Sequence, residues 1–464
     1  MAEKVRTLQS VEGCPWCRAT DRTAWGACQV CGRHYFVHGW ARAPRRRRSF
    51  WWLAVSLGVV AALGAWMIFP FLPGPRILLF KRPTTPLTSD SPANQWSMSG
   101  MNLQQSRYVV TPSRHVEGRL VWSVDLGAPT RSAPVIVDNT IYIGGHFRLL
   151  ALDAHTGHLL WEIPTTGPVH TSVAVAGGLL YLGLQDWRVL ALDRRTGKSR
   201  WEFKTQNPTS GSPAVAAGIV YIGSLDGFLY ALDAATGKLI WKVKTEAHPL
   251  SPPAFAEGTL FVGSTDGSLY ALHARTGQRR LRFRTPERLQ DTPVAANGLV
   301  YFPSGGQLYA VQANAREFPG QYQFNLIWAQ FWMWQLPVPK PPGQPGGQWR
   351  FSFRHRPRMI FSAPAVSPET LYVGDLNGYL YARDALKGSA RWQFQAEGGI
   401  ETSPLILGSR VYFGTAEGML YALDRAQGAL GWKLPLGAPI QAAPVFASGR
   451  LYIRTRDGRF HAIE

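Results

Sequence analysis

Residues Gly218 to Phe255 read GIVYIGSLDGFLYALDAATGKLIWKVKTEAHPLSPPAF. Short apolar runs, Ile219–Gly223, Tyr230–Asp233 and the segment around Trp241, alternate with turn residues, and Ser251-Pro252-Pro253 then opens the same pattern again. Asp226-Gly227 supplies the positive φ of a two-residue hairpin, and Asp233 with Thr236-Gly237 makes a second, wider turn. Trp241 gives the last strand a large apolar plate to lay against a neighbour.

The pattern recurs through most of the chain. Its second-strand aromatic falls at Tyr142, Tyr181, Tyr221, Phe261, Tyr301, Tyr372, Tyr412 and Tyr452, spaced by 39 or 40 residues except for one gap of 71. The tryptophan position falls at Trp122, Trp161, Trp201, Trp241, Leu281, Trp392 and Trp432, with one copy displaced between 301 and 372. A four-strand unit repeating about every 40 residues is the signature of a β-propeller, in which each blade buries its faces only against its neighbours. The fold class is therefore all-β, an eight-bladed propeller of four-stranded blades. The last repeat, 442–464, stops before any tryptophan strand, whereas the strand carrying Trp122 has no blade of its own. Trp122 is expected to complete the last blade as a clasp that leaves no open edge.

The run Tyr230-Ala231-Leu232-Asp233-Ala234-Ala235-Thr236-Gly237-Lys238, followed by Trp241, resembles the repeat of the pyrroloquinoline quinone (PQQ)-type propellers, over about residues 119–464. That resemblance implies one of two classes: quinoprotein dehydrogenases, or non-enzymatic scaffolds of outer-membrane barrel assembly. A dehydrogenase of this family implies a quinone site with calcium and an adjacent cysteine pair beside it. The propeller segment holds no cysteine, and PQQ is not expected as a cofactor.

All four cysteines lie at Cys14, Cys17, Cys28 and Cys31. Two C-x-x-C knuckles suit a tetrahedral zinc site, and residues 1–40 read as a zinc-ribbon-like stub, with Arg18 where the first knuckle of such ribbons usually has Gly. Two disulfides or a redox pair are the competing readings; the redox one lacks a surrounding β-α-β pattern. Residues 41–49 carry Arg45-Arg46-Arg47-Arg48, and the following Phe50–Phe69 is uncharged. At about 1.5 Å per residue such a run spans a bilayer core of roughly 30 Å. A transmembrane helix is expected at 50–72, with a cytoplasmic N-terminus and an exported propeller, because the basic cluster precedes it. Residues 73–118 form a Pro-rich tether and lead-in.

The net charge of +20 is compatible with anionic surfaces or with a plain solvated surface. Nucleic acid is not an expected partner: only residues 1–49 would reach it, with ten Lys/Arg against three Asp/Glu, net +7, and the arginine run serves topology.

Most repeated residues read as structural. The Asp residues of the Asp-x-x-Thr-Gly turns bond nearby amides, and His273 in place of one of them reads as a neutral substitution. Hydroxyls at the channel mouth, such as Ser132, Ser172, Ser251 and Thr402, satisfy backbone groups of edge strands or bind a polar ligand in the funnel. The fifth repeat carries an insertion at about 312–357, with Phe324, Trp328, Phe331, Trp332 and Trp334 ahead of a Pro/Gly-rich stretch. Either Trp328 or Trp349 fills its tryptophan strand. Such an aromatic run marks a contact with a partner or membrane, or folds back as a cap. The sequence reads as a propeller held at the plasma membrane by a single span. It acts outside the cytoplasm as a non-catalytic scaffold for envelope proteins. The alternatives are a receptor for a ligand or wall polymer with a cytoplasmic zinc module, and a PQQ-dependent dehydrogenase.

Overall fold

The β-branched and aromatic alternation of each repeat becomes a four-stranded antiparallel sheet, and the computed structural model contains eight such sheets. It describes residues 55–59, 97–110, 116–127, 132–289, 291–353 and 362–464. The chain divides into two units, 1–66 and 67–464. Of the first, only 55–59 are described, as exposed helix; the four cysteines and the rest of the apolar run lie outside the described residues, as does most of the tether. Among the described residues no helix is long and apolar enough to cross a membrane.

Blades one to seven span 135–164, 174–204, 214–244, 254–284, 294–352, 365–395 and 405–435, each running from inner to outer strand. Blade eight takes its first three strands from 445–463 and its outer strand from Leu120–Asp125, with Trp122 opposite Ala462. The clasp expected from the sequence is thus formed. It is fastened by Arg119 and Glu464, whose backbones exchange hydrogen bonds of 2.8 and 2.9 Å.

The repeat residues hold blade to blade. Trp201 Nε1 and Tyr181 Oη both donate to the Ala234 carbonyl of the next blade, at 2.9 and 3.1 Å. Trp241 and Tyr221 do the same to Ala274, and Trp392 and Tyr372 to Arg425. The indole then lies on the glycine that precedes the outer strand of the next blade. At Gly237, whose φ is +70°, an added Cβ would come within 2.6 Å of the Trp201 ring. Trp122 meets Gly157 in this way, Trp241 Gly277, Trp349 Gly388, Trp392 Gly428 and Trp432 Gly118, whereas at Gly197 Ile163 comes first and the Trp161 ring lies at 3.9 Å. Glycine is needed there for its left-handed φ and because a side chain has no room. The second-strand aromatics are the largest buried groups of the core, with Tyr181, Tyr221, Phe261, Tyr301, Tyr372, Tyr412 and Tyr452 almost wholly enclosed.

Two sequence expectations change, the Asp226-Gly227 hairpin and the far bound of the insertion, and two readings left open are decided. The Asp226-Gly227 turn is wider than a two-residue hairpin: it spans 224–227, with the Gly227 amide donating to the Ser224 carbonyl and only the glycine at positive φ. The tryptophan strand of blade five is Gly347–Ser352, with Trp349 opposite Ala310, so Trp349 fills the position and Trp328 does not. The insertion therefore ends before 347 instead of reaching 357. Its aromatic segment is a helix, Gln321–Met333, with no buried residue, which removes the option of a cap folded back on the ring.

Candidate functional site

The inner strands of a propeller turn their free edge toward the axis, and in this chain that edge is met by residues 97–110. The middle amide of four inner strands donates to it: Val175 to the Ser97 carbonyl, Phe255 to Leu103, Ala295 to Gln104 and Ile406 to Arg107, at 2.7–3.0 Å. Val366 of blade six donates to Ser106 at 3.0 Å. Tyr108–Val109 then pairs in parallel with the inner strand of blade seven, Leu405–Leu407. Met98, Met101, Leu103 and Val109 are buried, at 0–7% exposure, so apolar side chains of the lead-in fill the channel. This segment follows the tether, and nothing in its short mixed sequence signals a strand-like path.

The polar centre of this plug is Gln105, Arg107 and Asp291. Burial lowers the Arg107 guanidinium to about 10, with Asp291 opposing, and raises the Asp291 carboxyl to about 7, with Arg107 opposing. Arg107 donates to the Gln105 carbonyl at 3.2 Å. Gln105 Oε1 and Arg107 Nε are enclosed with no hydrogen-bond partner among the described residues.

The hydroxyls at the channel mouth serve the backbone. Ser172 accepts from the Ala133 amide, Ser212 from Ser172 and Ser403 from Ala363, at 3.0–3.1 Å, each linking one blade to the next. Ser132, Ser251 and Thr402 accept from Gly144, Gly263 and Gly414 within their own blades. The turn carboxylates behave likewise: Asp384 accepts the Lys387 and Leu386 amides and is held below the usual carboxylate range, by the Lys387 N–H first.

The lead-in fills the axis, and among the described residues no three His, Cys, Asp or Glu side chains converge to hold a metal ion.

The insertion lies elsewhere, along the outer edge of blade four. The Glu317 amide donates to the Arg280 carbonyl, and the Gln344 side chain both donates to and accepts from the Arg284 backbone at 2.6 Å. Between these ties the helix projects, with Phe324, Phe331, Trp332 and Trp334 exposed by 41–63%. Trp328 packs on Phe324 at 5.3 Å and donates to the Pro339 carbonyl, holding the Pro-rich return against the helix. The five aromatic residues expected at a contact are thus brought together on one projection. Sequence reasoning passed over what flanks them, although the run Arg279-Arg280-Leu281-Arg282-Phe283-Arg284 is visible in the chain.

The family whose description is "Outer membrane protein assembly factor BamB" matches residues 109–223, 185–317, 344–419 and 407–464. A quinohemoprotein alcohol dehydrogenase, ADH-IIG of Pseudomonas putida, is 29% identical over 122 residues, which cover 22% of this chain and 17% of that enzyme. Among solved structures, BamB from Moraxella catarrhalis is 18% identical with a TM-score of 0.57, over 74% of this chain and 96% of that one. Quinohemoprotein alcohol dehydrogenase from Comamonas testosteroni is also 18% identical, with a TM-score of 0.62, over 87% and 83%. At such identities these structures speak for the fold alone. The family match leaves out 318–343, where the helix projects, and covers well over half of the chain. The chain belongs to the BamB family of propellers.

Proposed function

We propose that this protein is a non-catalytic binding scaffold of the cell envelope, a rigid ring whose surface loops hold other proteins. The observation that carries this reading is the channel filled by the chain's own residues 97–110, which takes the axial space from a cofactor or small substrate. The ring is rigid because each junction is closed by packed aromatic rings and side chain to backbone bonds. The apolar run 50–69 behind four arginines supports an anchor that leaves the propeller outside the cytoplasm. The spacing of Cys14, Cys17, Cys28 and Cys31 supports a bound zinc ion.

Two measurements test the reading. PQQ and calcium added to the purified protein are expected to give no cofactor absorbance and no dye reduction with alcohols; either signal overturns it. Crosslinking in intact membranes is expected to capture a discrete set of envelope proteins, and an empty capture removes the scaffold. For the stub, replacing Cys14 and Cys28 with Ser is expected to abolish bound zinc, read by elemental analysis, and to leave the ring folded.

A further inference from the structure

The insertion helix, QYQFNLIWAQFWM, carries no charge, and its polar residues Gln321, Gln323, Asn325 and Gln330 are scattered around its circumference. A partner groove reads one face of a helix, at i, i+3, i+4 and i+7. A helix without charge whose apolar side chains are not confined to one face belongs in a core or in lipid, and none of this one is buried in the ring. Thirteen residues make about 20 Å, too short to cross a bilayer core of roughly 30 Å. Indole and phenol rings favour the boundary between headgroups and acyl chains.

The base of the projection is cationic. A cleft of about 540 Å³ opens between the outer strands of blades four and five, at the base of the insertion, lined among others by Arg284, Tyr309, Gln344, Trp349 and Arg350. The Arg284 guanidinium stacks over the Tyr322 ring at 3.5 Å, which ties this cleft to the first turn of the helix. At the other end of the same strand pair, His273 stands where other blades have the turn aspartate. Burial first, and then Arg280, Arg275 and Arg316, lower its pKa, so three cations gather where Asp193 and Asp384 elsewhere pair with Arg200 and Arg391. Of the nearby carboxylates, Glu317 is bound to Arg279 at 3.0 Å, and Glu287 acts on Tyr309. Between residues 312 and 353 Glu317 is the one acidic residue, against Arg316, Lys340 and Arg350.

We infer that the insertion is a foot that embeds its aromatic helix in the surface of an anionic lipid bilayer, with phospholipid phosphates held by Arg284 and Arg350 in the cleft at its base. This names the occupant of the contact surface and rests on the envelope placement proposed above, though not on the capture of proteins by the rim. An uncharged helix has no polar face to keep in water, so it settles among the lipids, while the arginines behind it select negative headgroups.

The test is hydrogen exchange of 321–333 in the whole chain, reconstituted in phosphatidylcholine vesicles with or without about one third phosphatidylglycerol. Amides there are expected to exchange about tenfold more slowly with the anionic lipid. High salt is expected to weaken that protection. Joint Arg284→Glu and Arg350→Glu substitution removes the lipid preference. Trp332→Glu, at a side chain 47% exposed on a helix with no buried residue, removes the protection itself. Equal protection in both vesicles overturns the anionic assignment, and none in either overturns the foot. Protection that grows with protein concentration without lipid, or needs envelope extract, assigns the surface to a second copy or another protein and also overturns it. Crosslinking capture by the ring is read separately, so a failed foot leaves the scaffold standing.

Discussion

At six of the eight blade junctions an outer-strand tryptophan lies on a glycine brought by the next blade, and at a seventh Trp161 stands by Gly197 with Ile163 between; between blades four and five both are missing. Blade four has Leu281 at the tryptophan position, and blade five has replaced its Asp-x-x-Thr-Gly turn with the insertion. The two losses belong together, because an indole without a flat glycine beneath it has nowhere to lie. Packing takes over: Leu281, Phe283, Phe302, Tyr309, Ala313 and Ala315 form one apolar cluster there. The junction freed from the repeat geometry is the one that carries the projecting helix. A ring of near-identical units gains a distinct surface by giving up one of its clamps.

The largest expected effect tests the regular clamp. Trp241→Ala, at a site 3% exposed, is expected to cost about 3–5 kcal/mol in denaturant unfolding. A cost as small as that of a surface change would break the comparison. Gly237→Ala is expected to cost about 2–4 kcal/mol, from positive φ plus contact with Trp201. Its control is Gly178→Ala, where φ is +81° and nothing lies within 4 Å; about 1 kcal/mol is expected there. Equal costs at the two glycines would remove the indole from the account.

Leu281→Trp asks whether the irregular junction accepts the consensus residue. Overpacking by about 1–3 kcal/mol is expected, and a neutral result would mean that the two losses are independent. The plug offers a fourth test. Asp291 titrates near 7 in the folded chain against an ordinary 3.8, so its contribution is fully present below 3.8 and fades as pH rises toward 7. The midpoint of thermal unfolding is expected to fall by about 2–4 °C across that window. Asp291→Asn flattens that part of the profile; an unchanged slope would place the titration elsewhere. The smallest effect belongs to the foot, where Leu326→Ser is expected to move stability by no more than about 0.5 kcal/mol.

The ring was legible because repetition is self-checking. Eight aromatics, spaced by 39 or 40 residues in all gaps but one, fix the blades, and a tryptophan strand without a blade fixes the clasp. Blade five resisted because two segments, around Trp328 and around Trp349, match the strand pattern equally over three residues. The choice falls on Trp349 because it stands opposite Ala310, lies on Gly388 and donates to the Ala385 carbonyl, contacts that no local pattern displays. Residues 97–110 were opaque for a related reason. Their hydrogen bonds run to blades two, four, five, six and seven, so their conformation is set by partners scattered across more than two hundred residues. The arginines of the cleft, Arg284 and Arg350, lie far apart in sequence and line one cleft only because the outer strands of blades four and five are neighbours in the ring.

The clasp also bears on how the molecule comes into being. Blade eight is unfinished until 459–463 meet Leu120–Asp125, a closure over more than three hundred residues. The entropy lost in that step grows only with the logarithm of loop length, yet it precedes any reward from the contacts it allows. The first strand of the ring must wait for the last. Once shut, the seam cannot fray blade by blade from an open end. Escape then has to break the ring at one junction in a single event, which is the kind of barrier that makes a structure long-lived irrespective of its equilibrium stability.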